Sequence, residues 1–123
     1  MWHRGKITVV SPTEYIELER KAERKSEYFQ GEMFAMPGAN LRHALIVTNL
    51  AGELNRKLKR RPFEVYASDV RLCVSESGLY AYPGVMVVAD LRSADDQVDT
   101  VLNPILIVEV LSEATRDFSD LSN

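Results

Sequence analysis

The chain has 123 residues, a formal net charge of −3, 27% charged and 46% hydrophobic residues, a length and composition that suit one globular domain and exclude a disordered segment or a generally basic nucleic-acid coat. A single cysteine, Cys73, excludes an intramolecular disulfide and a Cys-based zinc site. The N-terminus has no signal-peptide core and the apolar runs are too short to span a bilayer, so a cytoplasmic protein without membrane association is expected.

Ser11-Pro12-Thr13-Glu14 has the capping-box pattern, with Ser11 as N-cap and Pro12 at the first helical position. It predicts a short helix to about Arg20, with Tyr15, Ile16 and Leu18 as apolar contacts. Two short aromatic-rich runs, Ser26 to Gln30 and Met33 to Met36, surround Gly31-Glu32 and predict a hairpin that Pro37-Gly38 ends. Asn40 can cap the longest helix, roughly Leu41 to Arg60. Leu41, Ala44, Leu45, Val47, Thr48, Ala51, Leu54 and Leu58 recur at three- and four-residue steps and predict one apolar face. Pro62 closes that helix.

The texture then changes to strands. Phe63 to Ala67 and Val70 to Val74 are rich in β-branched and aromatic residues, and Ser75-Glu76-Ser77-Gly78 reads as a turn. Leu79 to Ala89 is a further strand region, entered through Tyr82-Pro83-Gly84. A polar, acidic loop is expected from Asp90 to about Thr100. Pro104 to Leu111 is an apolar run suited to a central strand covered on both faces, and Thr115 to Asn123 resembles the start of a helix.

Glu109 interrupts that last apolar run. Burying an unpaired carboxylate costs at least several kcal/mol, so a partner is required. The partner is either an arginine or a tyrosine hydroxyl, which makes Glu109 structural, or a metal ion, which makes it a ligand or catalytic carboxylate. A hard cation such as Mg²⁺ would want a second carboxylate. Glu27, at the start of an aromatic strand, is a candidate, as is a solvated strand-edge charge at that position. His43, near the start of the long helix, reads as an accessory group or as an exposed histidine.

Taken in order, several segments resemble the Uma-type family of putative restriction endonucleases: Tyr15, Ser26-Glu27-Tyr28-Phe29-Gln30-Gly31-Glu32, Met36-Pro37-Gly38-Ala39, His43, Asn49-Leu50 and Leu54. Ser68-Asp69-Val70-Arg71, Tyr82-Pro83-Gly84-Val85, Pro104 to Ser112 and Thr115 continue the resemblance over about residues 11–119. It implies an α/β (α+β) fold of the restriction-endonuclease type, a central mixed sheet flanked by helices in a single domain over residues 1–123. It further implies Mg²⁺- or Mn²⁺-dependent cleavage of DNA, the metal polarising the phosphate and activating water. By the same resemblance Glu109 and Glu27 are the catalytic acids, Glu109 holds metal, and His43 is accessory.

The chain departs from that pattern in two places. Gly84 stands where the family has the metal-binding aspartate of Tyr-Pro-Asp. Asp90 shares strand parity with position 84 but lies about 20 Å along an extended chain, too far for one ion. Asp69 is the better stand-in. Leu111 occupies the place of the superfamily's usual lysine, and the last lysine of the chain is Lys59. Lys25 shares strand parity with Glu27. The family's usual chain also runs on past this one, so a C-terminally shortened sheet with an exposed edge, covered by a homodimer partner, is expected.

Two functions are therefore weighed: a metal-dependent endonuclease with an impaired site, and a non-catalytic domain that keeps the scaffold and binds nucleic acid. For the second, Arg56, Lys57, Lys59, Arg60 and Arg61 are candidate phosphate contacts, set against a simple role of cations at a helix C-terminus.

Overall fold

The Glu14 N–H donates to the Ser11 hydroxyl at 3.1 Å and the Ser11 N–H to the Glu14 carboxylate at 2.8 Å. The capping box thus starts helix α1, Pro12–Lys21, in a computed structural model that describes residues 9–38, 40–75, 77–94 and 97–111. Strands β1, Ser26–Phe29, and β2, Glu32–Ala35, pair antiparallel as the expected hairpin. Its two turn residues, Gln30 and Gly31, have φ of 51° and 88°, the mirror-image turn whose twist suits a tight hairpin.

Helix α2, Leu41–Lys57, starts with the Asn40 side chain accepting from the His43 N–H at 3.0 Å. It ends short of the expected Arg60, because the chain turns through Leu58 and Arg61, whose N–H donates to the Leu58 carbonyl at 2.9 Å. Its packed row is Val47 with half-buried Leu50, Ala51, Leu54 and Leu58. The expected single apolar face is therefore corrected: Leu41 is 88% exposed, and Leu45 and Ile46 are also exposed. The helix packs on one narrow stripe against strand β3, Glu64–Ala67.

After β3 come β4, Arg71–Val74, β5, Leu79–Ala81, and β6, Val85–Val88. The segment expected as a polar loop holds β7, Ser93–Ala94, and β8, Gln97–Val101, because β8 finds a parallel partner in β4. Strand β9, Leu106–Val108, follows. The strands form a mixed six-stranded sheet, β2-β1-β5-β4-β8-β7, and an antiparallel three-stranded sheet, β3-β6-β9.

The expectation of a covered central strand at 104–111 is also corrected. Among the described residues β9 is an edge strand paired only with β6, and Ile105, Leu106, Ile107 and Leu111 are exposed. Its place at the end of the sheet order leaves one flank without a paired strand among the described residues. The strand buried on both faces is β6, where Val85, Met86, Val87 and Val88 are all buried. The helix start expected at 115–123 lies outside the described residues.

Two clusters form the core. Tyr15, Ile16, Tyr28, Cys73 and Tyr80 fill the space between α1 and the larger sheet, the Tyr15 and Tyr28 rings stacking at 4.9 Å. Leu72, Met86, Val88 and Val101 tie the two sheets together. No helix among the described residues is long and apolar enough to cross a membrane.

Candidate functional site

The chain leaves the larger sheet at β5 and enters the smaller one at β6 through three residues, Tyr82, Pro83 and Gly84. Pro83 has no N–H to give. The N–H groups of Tyr82 and Gly84 sit at this seam and are taken by two carboxylates. Glu27 arrives on β1 from the larger sheet, and its Oε2 accepts from the Tyr82 N–H at 3.4 Å. Glu109 arrives just beyond β9 from the smaller sheet, and its carboxylate accepts from the Gly84 N–H. The strands that carry them lie in different sheets, and only the crossover brings the two acids together.

Both acids are held in their protonated form more readily than free glutamate. Burial pushes the Glu27 carboxyl up, and the Tyr82 N–H only partly opposes it. Crowding by protein pushes Glu109 up, the neighbouring Glu27 adds to this, and the Gly84 N–H and His43 oppose it. Neither acid has an ion pair with a lysine or arginine among the described residues. The structure thus unites Glu27, Glu109, His43 and the backbone of Gly84.

It corrects the expected setting of Glu109. The residue is exposed, because the edge position of β9 leaves the chain beyond Val108 open to solvent on one side. Neighbouring protein still raises its carboxyl, and among the described residues no arginine or lysine pairs with it. This donor set fits a hard divalent cation completed by water and phosphate oxygens: two carboxylates carry unopposed negative charge, and an excess of that sign is what such an ion relieves. Among the described residues no group of three His, Cys, Asp or Glu side chains converges closely enough to hold a metal alone.

Gly84 is buried and its φ is unexceptional, so the conformation does not demand glycine. A Cβ there would lie 3.1 Å from the Val108 carbonyl oxygen and 3.5 Å from the Val110 nitrogen, so the edge strand would have to give by a few tenths of an ångström.

The remaining candidates fall elsewhere. Asp69 is 96% exposed and its carboxylate pairs with the Lys25 ammonium at 3.3 Å, so its contacts give no support to a role in place of an aspartate at 84. Lys25 also donates to the Ser68 carbonyl at 3.1 Å and lies 5.2 Å from the Tyr82 ring centre, which turns it toward the Ser68–Asp69 loop. Asp90 is exposed. Arg56, Lys57, Lys59, Arg60 and Arg61 form an exposed cluster at the far end of α2 from His43.

Beneath the seam lies a buried polar network that sequence reasoning missed. The Tyr82 hydroxyl donates to Glu19 Oε2 at 2.6 Å and accepts from Arg71 Nε at 3.1 Å. Glu19 Oε2 also accepts from the Ser26 N–H at 2.9 Å, while its Oε1 is buried without a hydrogen-bond partner among the described residues. Arg71 Nη1 reaches Thr100 Oγ1 and Asp99 Oδ1, each at 3.1 Å, and Arg20 closes the other side of Asp99. Burial and then the bond to Glu19 push the Tyr82 hydroxyl up, so it stays a donor at neutral pH. Two signals were present in the sequence. Glu19 stands one turn after Tyr15 on the face of α1 that packs inward, and Arg71 opens the otherwise apolar β4.

The profile of the family Uma2, described as putative restriction endonuclease, matches residues 12–121. An uncharacterized protein of Synechocystis sp. is 38% identical over 111 residues, which cover 89% of this chain and 63% of that protein. A second uncharacterized protein of the same organism is 31% identical over 109 residues, covering 89% and 57%. The crystal structure of a putative nuclease belonging to DUF820 from Anabaena variabilis superposes with a TM-score of 0.70 at 18% identity, over 93% of this chain and 65% of that one. The chain therefore spans about three-fifths of the length of the relatives it matches. The fold read from the sequence, a mixed sheet with helices in the restriction-endonuclease manner, is the fold found, with the sheet divided in two at residues 82–84.

Proposed function

Because this chain belongs to the Uma2 family of putative restriction endonucleases, we propose that it is a divalent-metal-dependent DNA endonuclease domain whose site, centred on Glu27 and Glu109, is impaired by glycine at position 84. The single observation behind this reading is the meeting of two carboxylates from different sheets at the N–H groups of Tyr82 and Gly84, with no cation paired to either. Structural acids in a core are normally satisfied by an arginine or lysine; two whose charges act on each other, one of them exposed, are better suited to an ion and a phosphate.

Glu27 and Glu109 would hold Mg²⁺ or Mn²⁺, and such an ion polarises a phosphodiester and makes a bound water a nucleophile near neutral pH. The chain's own groups supply the rest. The Tyr82 and Gly84 N–H groups orient the two carboxylates. The Glu19–Tyr82–Arg71 network holds the seam beneath them. His43, whose charge acts on Glu109, is the accessory group of the site. Lacking a third carboxylate and a lysine at the position of Leu111, the site is expected to be slow.

The test is nicking of supercoiled plasmid with Mn²⁺ or Mg²⁺, comparing the native chain with Glu109→Gln and Glu27→Gln. Nicking abolished by both substitutions supports the reading. Equal nicking in all three, or none in any, removes it. The absence of a tight three-ligand group favours a second reading, a scaffold that binds DNA without cutting it. DNA binding without metal-dependent nicking is its signature.

A further inference from the structure

Residues 56–61 carry five cations in six positions of a chain whose net charge is −3. Helix α2 ends at Lys57 with Leu58 as its C-cap, so favourable interaction with the helix dipole accounts for Arg56 and Lys57 alone. Lys59, Arg60 and Arg61 lie beyond the helix, in a turn fixed by the Arg61 N–H to Leu58 carbonyl bond at 2.9 Å and the Phe63 N–H to Arg61 carbonyl bond at 2.7 Å. All three are exposed, and none has an acidic partner among the described residues. Glu53, one turn before Lys57, is engaged by Arg56, and that hydrogen bond and charge hold its carboxyl below the usual range, while Glu64 accepts from the Tyr66 hydroxyl.

The position of this knuckle is informative. His43 and Lys57 are fourteen residues apart on α2, about four turns, which returns Lys57 to within roughly 40° of the His43 side of the helix. The rise between them is about 20 Å, the length of roughly six base pairs of duplex. His43 is near enough to Glu109 for its charge to act on that carboxyl. The N-terminal end of α2 is therefore the end nearer Glu109, and the cationic turn, without an acidic partner among the described residues, lies at the other end.

We propose that the turn at Lys59, Arg60 and Arg61, with Lys57, is a docking surface for the phosphate backbone of a nucleic-acid duplex that runs along α2 toward the carboxylate pair. The position of the duplex over the pair rests on the endonuclease reading; the docking itself does not. A duplex is the partner that fits because closely spaced fixed phosphates match closely spaced cations, and release of their condensed counterions drives the association.

The experiment is fluorescence anisotropy with a labelled duplex in EDTA, across a salt series, so that no cleavage is involved. The native chain is compared with the triple variant Lys59→Ser, Arg60→Ser, Arg61→Ser, and with Lys21→Ser, Arg24→Ser as a charge control at and just beyond the end of α1. These residues are exposed, and a thermal melt checks that the fold is kept. The native chain should show a salt-dependent constant; the triple variant should lose roughly 2 to 3 from the log–log slope and bind about tenfold or more weakly at low salt, while the control stays near native. An unchanged slope in the triple variant, an equal loss in the control, or equal binding to anionic phospholipid vesicles would overturn the proposal. Duplex binding of this kind without nicking leaves the docking surface standing and removes the endonuclease. Nicking with an unchanged slope does the reverse.

Discussion

Gly84→Asp places a third carboxylate at the seam, and the structure lets its effect be separated from that of adding any side chain. Gly84→Ala is the reference: its Cβ would press on the Val108 carbonyl at 3.1 Å, a strain offset by the roughly 0.4–1 kcal/mol gained when a glycine is removed from the unfolded chain. The alanine variant should therefore melt close to the native chain. The aspartate variant adds a like charge to Glu27 and Glu109. At an effective dielectric of about 20, like charges close enough to share one ion repel by roughly 2–4 kcal/mol. Exposure of Glu109 and salt reduce this to about 1 kcal/mol. In EDTA, Gly84→Asp should then melt about 3–5 °C below Gly84→Ala. In Mn²⁺ the order should reverse, because the charge that repels its neighbours attracts the ion. Calorimetry should show Mn²⁺ bound about tenfold or more tightly by the aspartate variant than by the alanine variant. Equal melting of the two variants in both buffers, with equal Mn²⁺ affinity, would mean that position 84 does not face the carboxylate pair.

Glu109→Gln tests the same pair through pH. The Glu109 carboxyl is raised above its ordinary value of 4.5, so the folded protein holds that proton more tightly than the unfolded chain does. The metal-free native chain is then most stable below the ordinary value and loses stability as pH rises through the raised one. The glutamine variant, which never ionises, should have the higher urea midpoint near neutral pH and no advantage at about pH 4; the opposite order would refute the pairing. Asp99→Asn should behave in the reverse sense. Burial alone would raise Asp99, but the hydrogen bond from Arg20 and the charge of Arg71 outweigh it and hold it below its ordinary 3.8. Its contribution is present above that value and is lost as pH falls through the lowered one. The variant should lose about 1 kcal/mol near neutral pH, allowing for its partial exposure, and approach the native chain in acid. Tyr82→Phe leaves Glu19 Oε2 with only the Ser26 N–H and Arg71 Nε without its acceptor, and should cost about 2–3 kcal/mol by chemical denaturation. Tyr66→Phe, which breaks a solvent-side bond to Glu64, should cost less than about 1 kcal/mol; equal losses would show that the buried network is not special.

Local signals were legible wherever a few neighbouring residues decide the structure. The Ser11 capping box and the Asn40 cap form as read, and the hairpin forms with its turn one residue earlier than Gly31-Glu32, at Gln30-Gly31, because each depends on hydrogen bonds or dihedral angles within four residues. Readings that depended on what packs from afar fared differently. The apolar residues of α2 predicted one buried face, yet Leu41 and Leu45 face solvent, since the helix meets the sheet on the Val47 row alone. The hydrophobicity of Leu106 and Ile107 suggested a covered strand, but nothing in a strand's own sequence says whether a neighbour lies on its other flank. Strand β8 was hidden inside an acidic stretch because its partner, β4, lies more than twenty residues away.

The amino-acid sequence by itself determined both helices, the first hairpin and the family, because each rests on residue type and short-range spacing. Tertiary structure alone decided that Glu27 and Glu109 meet. They are 82 positions apart, Glu27 on β1 of one sheet and Glu109 just beyond β9 of the other, and the crossover at Tyr82, Pro83 and Gly84 brings them near enough for the charge of one to raise the carboxyl of the other. It also decided that Glu19 and Arg71 are inside, sharing the Tyr82 hydroxyl, for a charge can be buried only where folding brings its partner.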